Sequence, residues 1–165
     1  MPILSEVFHP ISSQPPLEDL RERLRAIVRS PHVNLGRWTT AQIFYHLAGA
    51  IEGSLEGLPQ GYSLVVRLLV RPLRHLVTSI RFPPWLPIPQ AIRFKLDPPS
   101  DAELMAQYER LMKAIDRFQS FQEEHPPHPV LGKLSRAEWI AFHQQHCRHH
   151  LSFIRLTKAS PNTDP

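Results

Sequence analysis

Hydrophobic residues recur along this chain at steps of three and four, the spacing of one face of an α-helix. Segment 17–30 carries Leu17, Leu20, Leu24, Ile27 and Val28 on one face, after Pro15 and Pro16. Segment 101–123 is the clearest, with Leu104, Tyr108, Leu111, Met112, Ile115 and Phe118 in register. Three hydroxyl residues stand three positions ahead of Glu or Gln, the pattern of a reciprocal helix N-cap. These pairs are Thr39 with Gln42, Ser100 with Glu103, and Ser135 with Glu138, and each opens an apolar-periodic run. No stretch alternates with period two for long enough to predict a sheet. The pattern predicts an all-α fold, amphipathic helices packed around one core, with helices near 16–30, 39–57, 63–80, 101–123 and 135–158.

Between the second and fourth of these segments the pattern loosens. SLVVRLLVRPLRHLVTSI, 63–80, reads as a helix broken at Pro72, with Arg67, Arg71 and Arg74 forming one basic stripe on an otherwise apolar surface. Two readings compete: a helix buried on most sides with its arginines in water, or a helix lying on a membrane surface. The buried reading is preferred. The following FPPWLPIPQAIRFKLDPPS, 82–100, holds too many prolines for a helix and is expected to run extended.

Composition narrows the class. A chain of 165 residues is expected to form one domain, 1–165, and 42% hydrophobic residues suit a globular protein. Its net charge of +4 is spread over several segments, which argues against nucleic acid as a partner. The single cysteine, Cys147, excludes an internal disulfide, and MPILSEVFHP has no signal-peptide core, so a cytoplasmic location is expected.

Candidate chemistry lies in HQQHCRHH, 143–150, drawn from ten histidines in the chain. On a helix spanning 135–157, Trp139, Phe142, Cys147, Phe153 and Ile154 share a broad apolar face. Gln144, Gln145, Arg148, Ser152 and Arg155 fall opposite. His143, His146 and His150 lie within the apolar face, and His149 lies at its border. Inward imidazoles need partners, because an unpaired buried polar group costs about 1–3 kcal/mol. His146 and His150, four apart, place their Cβ atoms about 5–6 Å from each other, a spacing at which two imidazoles bind one ion. A third ligand must come from elsewhere, and His46 on the second helix is the best candidate. Gly49 and Gly53 share its side of the helix, and each glycine there costs about 1 kcal/mol relative to alanine. They imply either close packing or open space beside His46. The competing reading of all these histidines is a hydrogen-bonded core without metal.

At these residues the chain resembles the DUF1569 family, a branch of the DinB/YfiT-like superfamily. The resemblance rests on WTTAQIFYHLAGAIEG and HPVLGKLSRAEWIAFHQQHCRHHLSFI. The family pattern places a His-Leu on helix two, then HP-x-x-G-x-L-[ST]-x-x-E-W ahead of H-x-x-H-H, and the similarity runs over roughly residues 30–157. It implies a four-helix bundle of DinB/YfiT type, with an extra helical and Pro-rich insertion between the second helix and 101–123. It also implies a divalent metal held by His46, His146 and His150. His149 is the second choice for the last position, and His125, His128 and His143 remain as supporting or extra ligands. Phe153 stands where relatives often carry a glutamine.

Three neutral imidazoles leave a coordination position open, as in catalytic rather than structural zinc sites. Zinc leads as the cofactor, with nickel, iron and manganese as alternatives. By analogy with the superfamily, the expected activity is a low-molecular-weight-thiol S-transferase acting on a small-molecule substrate, with hydrolysis by metal-activated water as the rival. The competing class is a non-catalytic bundle serving as a homodimerisation or membrane-surface module. Glu52 and Glu56 read as solvated residues and Cys147 as an inert buried thiol. No catalytic base is assigned.

Overall fold

A computed structural model describes residues 17–58, 64–73 and 99–157. These residues are mostly helical. Helix α1 spans Glu18–Arg29, α2 Thr40–Glu56, α3 Leu64–Val70 followed by a 3-10 turn Arg71–Leu73, α4 Leu104–Ser120 and α5 Arg136–Leu151. Helices α1, α2, α4 and α5 all contribute to one apolar cluster, which includes Leu24, Phe44, Leu47, Leu111, Phe118 and Trp139. Its apolar burial is the main stabilising term of such a fold. One buried charge ties α1 to α4: the Arg21 guanidinium donates to Asp116 at 2.5 Å and to Gln119 at 2.8 Å.

Two of the three predicted caps form as reciprocal pairs. Thr39 Oγ1 accepts from the Gln42 amide while the Gln42 side chain accepts from the Thr39 amide, and Ser135 with Glu138 does the same. These start the two helices that carry the inward histidines. The Ser100–Glu103 pair does not cap. Glu103 itself is the N-cap, with extended backbone and no side-chain bond, and α4 begins at Leu104, its first residue packed on the core. Helix α4 therefore spans less than the predicted 101–123.

The C-terminal segment departs further from expectation. Helix α5 ends at Leu151, and Ile154–Leu156 forms a strand, β2, antiparallel to β1, His32–Asn34. The register pairs His32 with Leu156, Val33 with Arg155 and Asn34 with Ile154. Three residues per strand are too few to display a two-residue period, so this ribbon leaves no trace in the hydrophobic pattern. Ile154 stays in the core at 2% exposure, which explains why a helical wheel continued through it looked coherent.

The 63–80 segment also differs from the preferred reading. Helix α3 and its 3-10 turn cover only part of it; residues 74–80, like the proline-rich stretch to 98, lie outside the described residues. Helix α3 is not buried on most sides. Val65, Leu68 and Leu69 are 64–68% exposed, while Val70 turns inward against the apolar cluster. Among the described residues no helix is long and apolar enough to cross a membrane.

Candidate metal centre

Helices α2 and α5 bring three imidazoles together. His46 projects from the middle of α2, and His146 and His150 stand one turn apart near the end of α5. Ring centroids are 5.0 Å apart for His46–His146, 4.6 Å for His46–His150 and 4.7 Å for His146–His150, nearly an equilateral triangle. One nitrogen from each ring lies within 4.8 Å of the other two, and among the described residues this is the one cluster of three or more potential ligand side chains so placed.

The contact between the two helices is close. His46 Nε2 and His146 Nε2 are 3.1 Å apart. Two neutral imidazoles meeting nitrogen to nitrogen must either share one proton in a hydrogen bond or aim both lone pairs at a cation between them. The edge between two ligands of a tetrahedral site with bonds of 2.0–2.1 Å is about 3.3 Å, so the observed separation suits coordination as well as hydrogen bonding.

Burial disfavours the charged form of His146 and His150. Desolvation, and secondarily the neighbouring histidines, hold His146 well below the ordinary imidazole range. Desolvation, with His46 and His149 beside it, lowers His150 to about 3. A neutral ring has the lone pair that a metal needs.

An aromatic residue covers the cluster. The Trp38 indole stacks on His150 at 5.7 Å and 12° and leans on His46 at 5.0 Å. The ribbon β1·β2 accounts for its position. It clamps the chain leaving α5 to the chain entering α2, and the Leu35 amide adds a bond to the Phe153 carbonyl at 2.8 Å. Trp38 immediately precedes the Thr39 cap, where an apolar residue usually staples the first helical turn. That position was the available sign of a role for Trp38, and it did not reveal the imidazoles the ring touches.

The remaining histidines divide from the triad. His143, fully buried, faces Ser54, whose hydroxyl donates to the Ile51 carbonyl at 2.6 Å and so accepts from His143 Nε2 at 3.0 Å. His125 Nδ1 donates to the Ser54 carbonyl at 3.0 Å. His128 Nδ1 accepts the amides of Val130 and Leu131 at 3.1 Å each, forming the turn that leads toward α5. These three surround Trp139, with His143 stacked on it at 5.5 Å. Burial lowers His143 to about 3 and His128 to about 4. They form a hydrogen-bonded aromatic core. His149 lies edge-on to both His150 and Phe153 and outside the triad.

Other expectations resolve as well. A Cβ added at Gly53 would fall 2.3 Å from Leu58 Cδ2, so the close-packing reading applies there. Glu52 is not simply solvated: it accepts two bonds from Arg110, at 3.0 and 2.6 Å, and the guanidinium also lies over the Tyr45 ring. Glu56 makes an exposed ion pair with Arg117 at 2.8 Å. Cys147 is buried and its thiol is pushed up to about 12, which leaves it un-ionised and unreactive. Phe153 lies past the end of α5, its ring against Gly36.

No curated protein and no solved structure matches the chain. A family described as "Protein of unknown function (DUF1569)" matches residues 13–157, further toward the N-terminus than the motifs alone extend. That span covers the triad, its covering tryptophan and both caps, and the chain belongs to the DUF1569 family.

Proposed function

We propose that this protein is a divalent-metal-dependent enzyme whose ion is held by His46, His146 and His150. The observation that carries the reading is the convergence of three imidazoles from two helices, with nitrogens within 4.8 Å of one another. An all-nitrogen set of three suits zinc first, with nickel, iron and manganese as alternatives. The same reading takes the chain as a single cytoplasmic domain, with α1, α2, α4 and α5 as a DinB/YfiT-type four-helix bundle and α3 within an insertion.

When bound, such an ion acts as a Lewis acid and lowers the pKa of a thiol or water that joins it. The chain's own residues hold the geometry. Trp38 restrains the His46 and His150 rings by stacking and shields one side of them from water. The Thr39 and Ser135 caps fix where the two helices start, and the β1·β2 ribbon ties the chain entering α2 to the chain leaving α5. The reaction we propose is transfer of a low-molecular-weight thiol to a small electrophilic substrate. The sulfur–carbon bond forms, the thiol proton is released, and the leaving group departs with its electron pair. Hydrolysis is the rival reaction at the same three histidines.

Elemental analysis of tag-free protein, alongside His46→Ala and His150→Ala, tests the reading. About one ion per chain, lost in both variants, supports it, and metal-dependent thiol conjugation or hydrolysis then separates the two reactions. A wild type that contains no ion and cannot be reloaded, with both variants equally folded, overturns it and leaves a non-catalytic module.

A further inference from the structure

Helix α3 presents to water what a soluble helix normally hides. Val65, Leu68 and Leu69 are 64%, 64% and 68% exposed and share one face by their spacing of three and four. Arg71 borders this face beside Leu68, Arg67 lies further round toward Val70, and both are exposed. Val70, on the far side, packs against the core and fixes which way the leucines point. The Arg71 side chain runs along Gly132, where an added Cβ would lie 2.8 Å from Arg71 Nε, so this turn is seated on the loop that precedes α5.

The charge along this part of the sequence is one-sided. From Gly57 through Leu96 the sequence has no Asp or Glu, while Arg67, Arg71, Arg74, Arg81, Arg93 and Lys95 fall within it. Those six basic residues exceed the net charge of +4 for the whole chain, so the remainder is net acidic. A helix whose exposed side chains are apolar or basic and never acidic matches one kind of partner: an anionic lipid bilayer, whose acyl boundary takes Val65, Leu68 and Leu69 and whose headgroups take the guanidinium groups. Long arginine stems let the charged ends reach the headgroups while the helix lies flat. A second copy of the chain fits less well. A self-complementary contact through this face would set arginines near arginines, and one seven-residue helix offers far less than the roughly 800 Å² per partner of a stable interface.

We infer that α3 is a membrane-surface helix that docks this protein on anionic phospholipid through Val65, Leu68 and Leu69, with the exposed Arg67 and Arg71 of the same segment reaching for the headgroups. The inference is independent of the metal reading. It places the protein on a bilayer without crossing it.

Flotation of the full-length protein with phosphatidylcholine vesicles containing phosphatidylglycerol, against vesicles of phosphatidylcholine alone, tests it. The wild type is expected to float with the anionic vesicles only and to be released as salt is raised. Leu69→Asp and Arg67→Glu, both at exposed positions, are each expected to weaken partitioning by about tenfold or more while the helical circular dichroism and the metal content stay unchanged. Equal binding to both vesicles, no binding to either, or an unchanged affinity in both variants overturns the inference. A concentration-dependent dimer of the wild type that Leu69→Asp abolishes also overturns it, in favour of self-association.

Discussion

His46 Nε2 and His146 Nε2 stand 3.1 Å apart across 100 residues of sequence, and this contact joins α2 to α5 at the point where a third imidazole, His150, also arrives. Such proximity of two inward-facing ring nitrogens is costly unless a shared proton or a cation lies between them. The first prediction follows from it. His46→Ala, His146→Ala and His150→Ala should each weaken divalent-metal binding by more than the roughly 10–100-fold seen when a residue that merely orients a ligand is lost. His149→Ala and His143→Gln should keep the wild-type stoichiometry. Cobalt titration followed by visible absorption reads both groups, and metal loss in His149→Ala equal to that in His150→Ala would move the ligand assignment.

Trp38 should behave as a residue that holds ligands rather than as a ligand. Its stacking on His150 and contact with His46 predict that Trp38→Ala lowers metal affinity by about 10–100-fold with the stoichiometry retained, and that Trp38→Phe restores most of it. Quenching of indole fluorescence by nickel or cobalt provides a second readout. That quenching should fall in Trp38→Phe, because Trp38 is in ring contact with two of the proposed ligands.

Ser54 links His125 and His143 through its carbonyl and hydroxyl, and is itself fully buried. Ser54→Ala leaves the His143 Nε2 proton without its acceptor, at an expected cost of about 1–3 kcal/mol. Urea unfolding should show this loss, and elemental analysis should show an unchanged metal content. A parallel loss of metal would mean that the two histidine groups are one functional unit.

Acid should destabilise the metal-free fold in a defined window. Burial holds His143 at about 3 and His128 at about 4, below their value in the unfolded chain near 6.5. Below about pH 6.5 the unfolded state therefore binds protons that the folded state refuses, so stability falls as pH drops toward 4. Each such histidine contributes a slope of up to about 1.4 kcal/mol per pH unit. Denaturant melts in chelator across this range should show a shallower slope in His143→Gln than in wild type. Identical slopes would mean that His143 does not contribute.

What was readable from the chain was whatever depends on short-range spacing. The step of three and four in 101–123 marked α4, and Thr39–Gln42 and Ser135–Glu138 placed the starts of α2 and α5, because a cap is satisfied within one turn. The inward direction of His143, His146 and His150 followed from the same periodicity. The Ser100–Glu103 pair shows the limit of this reasoning: the pattern is present, yet α4 starts where Leu104 first meets the core.

Tertiary structure decided what the histidines do. His143 and His146 are one turn apart and equally inward in a wheel, but Ser54 meets the first and His46 meets the second. No local rule distinguishes them, because the partner sits on another helix. The same holds at the end of α5. The wheel ran on through Phe153 and Ile154, whereas the backbone of β1 offered hydrogen bonds that turned the chain into a strand and drew Trp38 over the triad. Exposure of Leu68 and Leu69 was equally beyond the sequence, since an apolar helix reads alike whether its face is covered or bare. Local spacing marked the cores of α1, α2, α4 and α5, two of the three proposed caps and the identity of the inward imidazoles, all matters of contacts within a turn or two. Which imidazoles converge, what covers them and which apolar face stays in water were decided by contacts between residues far apart in the chain, and these exist only once the helices have packed.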